Sequence, residues 1–226
     1  MKVACLVLVL GLFSPALALG QAKDLELTVY GGYNLGGGID ATEASSVYKL
    51  DTSDSFSTGL SLTWQRNPAQ AFELLWSWRP TNIEGVDPGN SQARKFISLN
   101  EHDFHANFLF MPAYREGKAV PFLLLGLGAT YLAPGEFVGA EGGAYPGTLF
   151  SPDGVTKFSW ALGAGVKTFM NERFGLRAQV RYHSTYVSDE SGQTWCDPWY
   201  GCYTTVDTNW LDEWDFTGGI VVKMGK

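Results

Sequence analysis

The chain has 226 residues, of which 17% are charged and 14% aromatic, with 27 glycines and a formal net charge of −7. An acidic balance with no basic run leaves no electrostatic footprint for nucleic acid, and no such partner is expected. Sparse charge beside abundant glycine and aromatic rings points to strands and turns in an unusual solvent.

At the amino terminus Met1 and Lys2 precede a short apolar run from Val3 to Phe13, then Ser14-Pro15-Ala16-Leu17-Ala18. These are the features of a secretory signal peptide. The run is far shorter than the ~20 residues that a membrane helix needs. The expectation is a leader over 1–18, with Gly20 and Ala22 as alternative cut sites, and a single domain over 19–226. No cysteine follows the cut, so no lipid anchor is expected. Loss of Lys2 leaves 15 bases against 23 acids, a net of −8. Cys5 leaves with the leader, and Cys196 and Cys202 remain. An even pair in an exported protein is most simply a disulfide, whereas two thiols alone make a poor metal site.

The mature part shows the two-residue alternation of strands. Eight are expected, near 24–35, 55–65, 71–79, 99–111, 120–132, 156–168, 173–186 and 212–224. The first carries Leu25, Leu27, Val29 and Tyr33 on one parity, and the second Phe56, Leu60, Leu62 and Trp64. Phe72, Leu74, Trp76 and Trp78 follow, then Phe104, Ala106, Phe108 and Phe110. The fifth strand supplies Leu123, Leu125, Leu127, Ala129 and Tyr131, and the sixth Phe158, Trp160, Leu162, Ala164 and Val166. Leu176, Ala178, Val180 and Tyr182 precede Trp214, Phe216, Ile220, Val222 and Met224. This parity is read as free of Asp, Glu, Lys and Arg, with His102, near a strand end, as its one exception.

The other parity carries the charges Glu26, Glu73, Arg79, Glu101, Asp103, Lys157, Lys167, Arg177, Arg181, Glu213, Asp215 and Lys223. Small residues such as Gly59, Ser61, Gly126, Gly163 and Gly165 accompany them. Arg or Lys at the midplane of a barrel's lipid face costs roughly 2–4 kcal/mol, so the apolar parity should meet lipid and the charged parity a lumen. Glu26 and Glu73 are expected to meet Lys167, Arg177 and Lys223 at one end. At the other, four acids should meet Arg79, Lys157 and Arg181. Long links (36–54, 80–98, 133–155 and 187–211) alternate with short ones at 66–70, 112–119 and 169–172. That alternation is expected of an up-and-down membrane barrel with both termini on the short-turn side. Trp64, Phe72 and Phe110 fall at one rim, and Tyr33, Phe56, Trp78, Tyr131, Phe158 and Tyr182 nearer the other, as interfacial belts do. A soluble lipocalin-like barrel would reverse inside and outside. The Gly-rich face, however, suits a narrow lumen, and the Trp- and Phe-rich face overfills an eight-stranded interior.

Ordered along the chain, Leu27-Thr28-Val29-Tyr30-Gly31-Gly32-Tyr33, Pro121-Phe122-Leu123-Leu124-Leu125-Gly126-Leu127-Gly128 and Ala161-Leu162-Gly163-Ala164-Gly165-Val166-Lys167 carry a family resemblance. Phe174-Gly175-Leu176-Arg177-Ala178-Gln179-Val180-Arg181-Tyr182 and Phe216-Thr217-Gly218-Gly219-Ile220-Val221-Val222-Lys223 complete it. The chain resembles the OmpA-like outer-membrane β-barrel family. The resemblance implies an all-β, eight-stranded antiparallel up-and-down transmembrane barrel in the bacterial outer membrane. Many members add a peptidoglycan-binding domain and many end in an aromatic residue; here Met224, Gly225 and Lys226 follow strand eight.

Candidate chemistry is thin. Gly126-x-Gly128 and Gly163-x-Gly165 complete no dinucleotide fingerprint and read as inward glycines. Glu101, Asp103 and His105 share one side of their strand while His102 points away, which favours a hydrogen-bonded lumen network over a metal site. His183-Ser184 invites comparison with lipid A deacylases, but alternation sends the two side chains to opposite faces. No catalytic residue, metal or cofactor is therefore expected. The loop holding Trp195, Trp199, Tyr200 and Tyr203 beside the cysteine pair forms an aromatic knob, read as a cover for the barrel mouth or as a binding surface. The expected role is structural or surface-interacting, through long extracellular loops above a lumen plugged by paired charges. A small-solute porin and a lipid A-modifying enzyme are the alternatives. Expected partners are outer-membrane lipid, lipopolysaccharide and an extracellular ligand at the loops, with the barrel a monomer.

Overall fold

The computed structural model describes residues 25–43, 46–86, 93–112, 119–137, 154–187, 194–197, 201–204 and 210–224. The leader, Trp199, Tyr200 and the last two residues lie outside these. Among the described residues the regular elements are twelve strands. They are β1 (Leu25–Leu35), β2 (Gly38–Glu43), β3 (Ser46–Thr52), β4 (Ser55–Asn67), β5 (Gln70–Val86), β6 (Ala93–Phe110), β7 (Ala119–Phe137), β8 (Val155–Phe169), β9 (Phe174–Tyr186), β10 (Thr194–Asp197), β11 (Gly201–Thr204) and β12 (Trp210–Lys223).

Eight of them close into an antiparallel barrel in the order β1, β4, β5, β6, β7, β8, β9, β12. The seam joins β1 to β12 from Glu26↔Lys223 to Leu35↔Trp214, and β5 to β6 from Gln70↔Phe110 outward. Closure leaves no barrel edge unpaired, which a lipid solvent requires. Short turns form where side chains satisfy local backbone donors. Asn67 accepts from the Ala69 amide at 2.9 Å, and Asn171 accepts from the Arg173 and Phe174 amides at 2.9 and 2.7 Å.

Burial decides which side of the sheet is which. Leu123, Leu125 and Leu127 are each more than half exposed, whereas Glu73, Glu101 and Glu213 on the opposite parity are 1% exposed. The apolar side faces out and the charged side faces in. Outward rings touch around the circumference: Tyr33 with Phe56 (5.5 Å), Trp160 with Tyr182 (5.5 Å) and Tyr182 with Trp214 (5.2 Å). Trp64 and Phe108 each contact Phe72 toward the short-turn end.

Several expectations need correction. Strands β5, β6 and β7 run well beyond 71–79, 99–111 and 120–132 on the long-loop side. Pro80 and Pro134 read as stops, because proline cannot donate to a ladder. Pro80, however, stands past the last β4–β5 pair, Thr58↔Trp78, and Pro134 sits opposite Leu99 at a register shift in β6–β7. His102 is consequently mid-strand, outward between Trp76 and Tyr131, with ring centroids 6.3 Å from each. The outward parity also holds an acid: exposed Asp212 accepts a 2.6 Å hydrogen bond from Ser184.

The long links are themselves structured. β2 and β3 form a hairpin whose Leu50–Thr52 end pairs with Ile83–Gly85 of β5. β10 and β11 form another, joined to β2 at Thr204↔Thr42. Links expected as loops thus extend the sheet above one side of the barrel.

Candidate functional site: the charged lumen

An eight-stranded interior is just wide enough to be filled by side chains, and here it is filled in tiers. Nearest the short turns lie Ala71, Leu109, Met111, Val120, Phe122 and Leu124, all inward and buried. This apolar tier has no counterpart among the expected lumen residues. The cause is local: Val120 to Leu125 is almost continuously apolar, so parity gives no contrast there.

Above it sits a first tier of ion pairs. The Lys167 ammonium is 2.7 Å from Glu26. Arg177 bonds both carboxylate oxygens of Glu73, and its guanidinium lies 4.7 Å from the Phe122 ring centroid. Thr63 and Asn107 each donate a further 3.0 Å bond to Glu73. Every lone-pair direction of that buried carboxylate is thereby engaged, which burial demands. Lys223, directly opposite Glu26 in register, places its ammonium 3.7 Å from the Phe169 ring centroid.

The second tier lies toward the long loops. Arg79 donates to both Glu101 and Glu213. Arg181 reaches Asp215 at 2.6 Å and Asp103 at 3.6 Å, and Asn34 donates to Asp215 at 2.7 Å. Asp103 also accepts from Ser77 (2.9 Å) and Thr130 (2.8 Å). Two histidines complete the tier. His183 lies with Nε2 3.5 Å from Asp103 and Nδ1 3.7 Å from Glu213. His105 contacts Ser159 through Nε2 at 3.0 Å, and its ring stands edge-on to His183 with centroids 5.1 Å apart. Lys157 is half-buried near the outer end of β8.

Glycine sets how tightly the tiers pack. A Cβ on Gly59 would fall 2.3 Å from the Trp76 carbonyl and 2.5 Å from the Tyr30 ring; on Gly165 it would fall 2.4 Å from Phe122. The Gly-x-Gly pairs lie on β7 and β8, with strand on both sides. His183 points inward and Ser184 outward, so the serine's partner is Asp212. Of the cysteine pair the backbone is described: Cys196 and Cys202 are direct partners across β10–β11.

A closed barrel with rings and aliphatics outside and ion pairs inside defines an integral membrane protein. The family model for the outer membrane protein beta-barrel domain matches residues 4–205. The chain belongs to that family and is a bacterial outer-membrane barrel. Neisserial surface protein A is similar at TM-score 0.54 and 13% identity, over 88% of this chain and 97% of that one. Outer membrane protein OprG from Pseudomonas aeruginosa gives 0.56 and 13%, over 90% and 98%. The outer membrane protease OmpT from Escherichia coli gives 0.50 and 9%, over 90% and 98%. These likenesses are of fold. No curated protein matches the sequence.

Proposed function

We propose that this barrel is a non-enzymatic surface protein: its lumen is plugged, and its working surface is the strand-built platform above the membrane. The observation that carries the reading is the stack of apolar and ion-pair tiers. Glu73, Arg79, Glu101, Arg177, Arg181 and Glu213 are all at most 5% exposed, on strands from opposite sides of the barrel. A water-filled pore would leave such groups hydrated, so the stack supports a plug over a porin.

The platform joins three long links into one sheet, from β10–β11 through β2–β3 to β5. Strand pairing holds such a surface at lower entropic cost than free loops, which favours recognition. Lipopolysaccharide and an extracellular ligand are the partner classes we assign to the outward belt and to this platform. The enzyme reading is weaker, because Ser184 and His183 occupy opposite faces. The Ser159–His105 contact is fully buried, and His105 Nδ1 has no partner to orient it.

The test is conductance of the purified protein in planar bilayers. Absence of steady single-channel steps is expected; reproducible open steps at neutral pH would favour the porin reading.

A further inference from the structure

The second lumen tier is unbalanced. Glu101, Asp103, Glu213 and Asp215 are buried carboxylates, and the buried guanidiniums beside them are Arg79 and Arg181. Even with half-buried Lys157 added, acids outnumber Arg and Lys four to three, and His183 lies between Asp103 and Glu213. The first tier leans the other way, with Glu26 and Glu73 against buried Lys167 and Arg177 and half-buried Lys223. Excess charge inside a barrel is strongly unfavourable unless something neutralises it.

Within this tier three groups converge. Glu101, His183 and Glu213 each offer one donor atom, and these atoms lie within 4.8 Å of one another. Two of the groups carry unpartnered buried atoms, Glu101 Oε1 and His183 Nδ1, with side chains at most 1% exposed. The imidazole explains why this matters. Its Nε2 faces Asp103 and the hydroxyls of Thr130 and Thr185, at 3.5, 3.2 and 3.2 Å. Nε2 thus has oxygen neighbours on its side of the ring, whereas buried Nδ1 has no hydrogen-bond partner. Nδ1 lies 3.7 Å from Glu213 Oε2, too far for a hydrogen bond. A cation held between this nitrogen and the two carboxylates would satisfy atoms that otherwise lack partners.

The geometry points to a divalent transition-metal site in the outer half of the lumen, with Glu101, His183 and Glu213 as ligands and Asp103 as the carboxylate that orients the histidine. Imidazole with two carboxylates suits zinc and its neighbours better than calcium or magnesium, which take oxygen ligands almost exclusively. A carboxylate hydrogen-bonded to the far nitrogen of a ligating histidine is the usual supporting arrangement. Arg79 donates to the same two carboxylates, Glu101 and Glu213, and beside the two buried guanidiniums a divalent ion would offset the remaining two carboxylate charges. The inference extends the proposed plug and does not depend on what the platform binds.

The mature protein, extracted in detergent and stripped with chelator, should regain one zinc per folded barrel, read by elemental analysis. Cobalt(II) should give a visible band in the same preparation. Glu101→Gln should weaken zinc binding by about tenfold or more, and Asp103→Asn by about 10–100-fold; His105→Gln, in the same tier but outside the ligand set, should keep it. Heat-modifiable gel mobility reports folding of each variant, and the wild-type zinc and cobalt signals carry the test where a variant does not fold. Folded wild type that takes up neither ion, or equal zinc in wild type and folded Glu101→Gln, would overturn the site and leave a proton on His183 as the neutralising cation.

Discussion

Arg177 spans the lumen to grip both carboxylate oxygens of Glu73 while its guanidinium rests 4.7 Å from the Phe122 ring. One side chain from β9 thereby ties together β5 and β7, and it joins the apolar tier to the ion-pair tier above. Their dependence is mutual. Phe122 screens the pair from water on the short-turn side, and the pair in turn stops that tier from opening into a channel.

Breaking this pair should be costly. Glu73→Gln leaves a buried guanidinium without its counter-charge and should destabilise the barrel by about 3–5 kcal/mol. The double change Glu73→Leu with Arg177→Met removes both charges and should recover much of that loss. Urea titrations read by tryptophan fluorescence in detergent measure both. Unchanged stability in the single variant would show that the lumen admits water there.

Packing at Gly59 gives a second prediction. A methyl group added there would meet the Trp76 carbonyl and the Tyr30 ring, and Tyr30 is held by its own 3.1 Å bond to that carbonyl. Gly59→Ala should therefore destabilise by about 1–3 kcal/mol through overpacking, whereas Thr58→Ala on the exposed parity should change little. Equal effects at the two positions would contradict a filled interior.

The barrel was legible because alternation is a strong signal wherever the two faces differ in charge. Leu27, Val29 and Tyr33 against Glu26, or Trp76 and Trp78 against Arg79, leave one register open. Legibility failed where that contrast vanished. Val120, Phe122 and Leu124 sit inside an apolar run, so their inward tier was hidden. Pro80 and Pro134 concealed strand continuation, because local chemistry reads them as stops and only the position of neighbouring strands shows that their missing donors are not needed. Asp212 escaped notice as an outward acid at the end of its strand. The metal-ligand set illustrates a different limit. Glu101, His183 and Glu213 come from β6, β9 and β12, and no spacing along the chain could have united them.

The hairpin above the barrel carries a third prediction. The backbones of Cys196 and Cys202 are direct register partners on antiparallel strands, where Cα atoms stand ~4.5–5.5 Å apart, inside the range a disulfide spans. Protein taken from the envelope should alkylate at neither cysteine until reduced. Cys196→Ser with Cys202→Ser should leave barrel stability unchanged while increasing protease sensitivity between β10 and β11. Ready alkylation without reductant would count against the bond.

Everything rests on which side of the sheet touches hydrocarbon. A nitroxide placed at Leu125, in a variant whose other cysteines are replaced, tests this in lipid bilayers. Strong relaxation by dissolved oxygen with protection from a water-soluble nickel chelate is the result required of an outward, lipid-facing position. Free access of the chelate to that nitroxide would contradict the assignment.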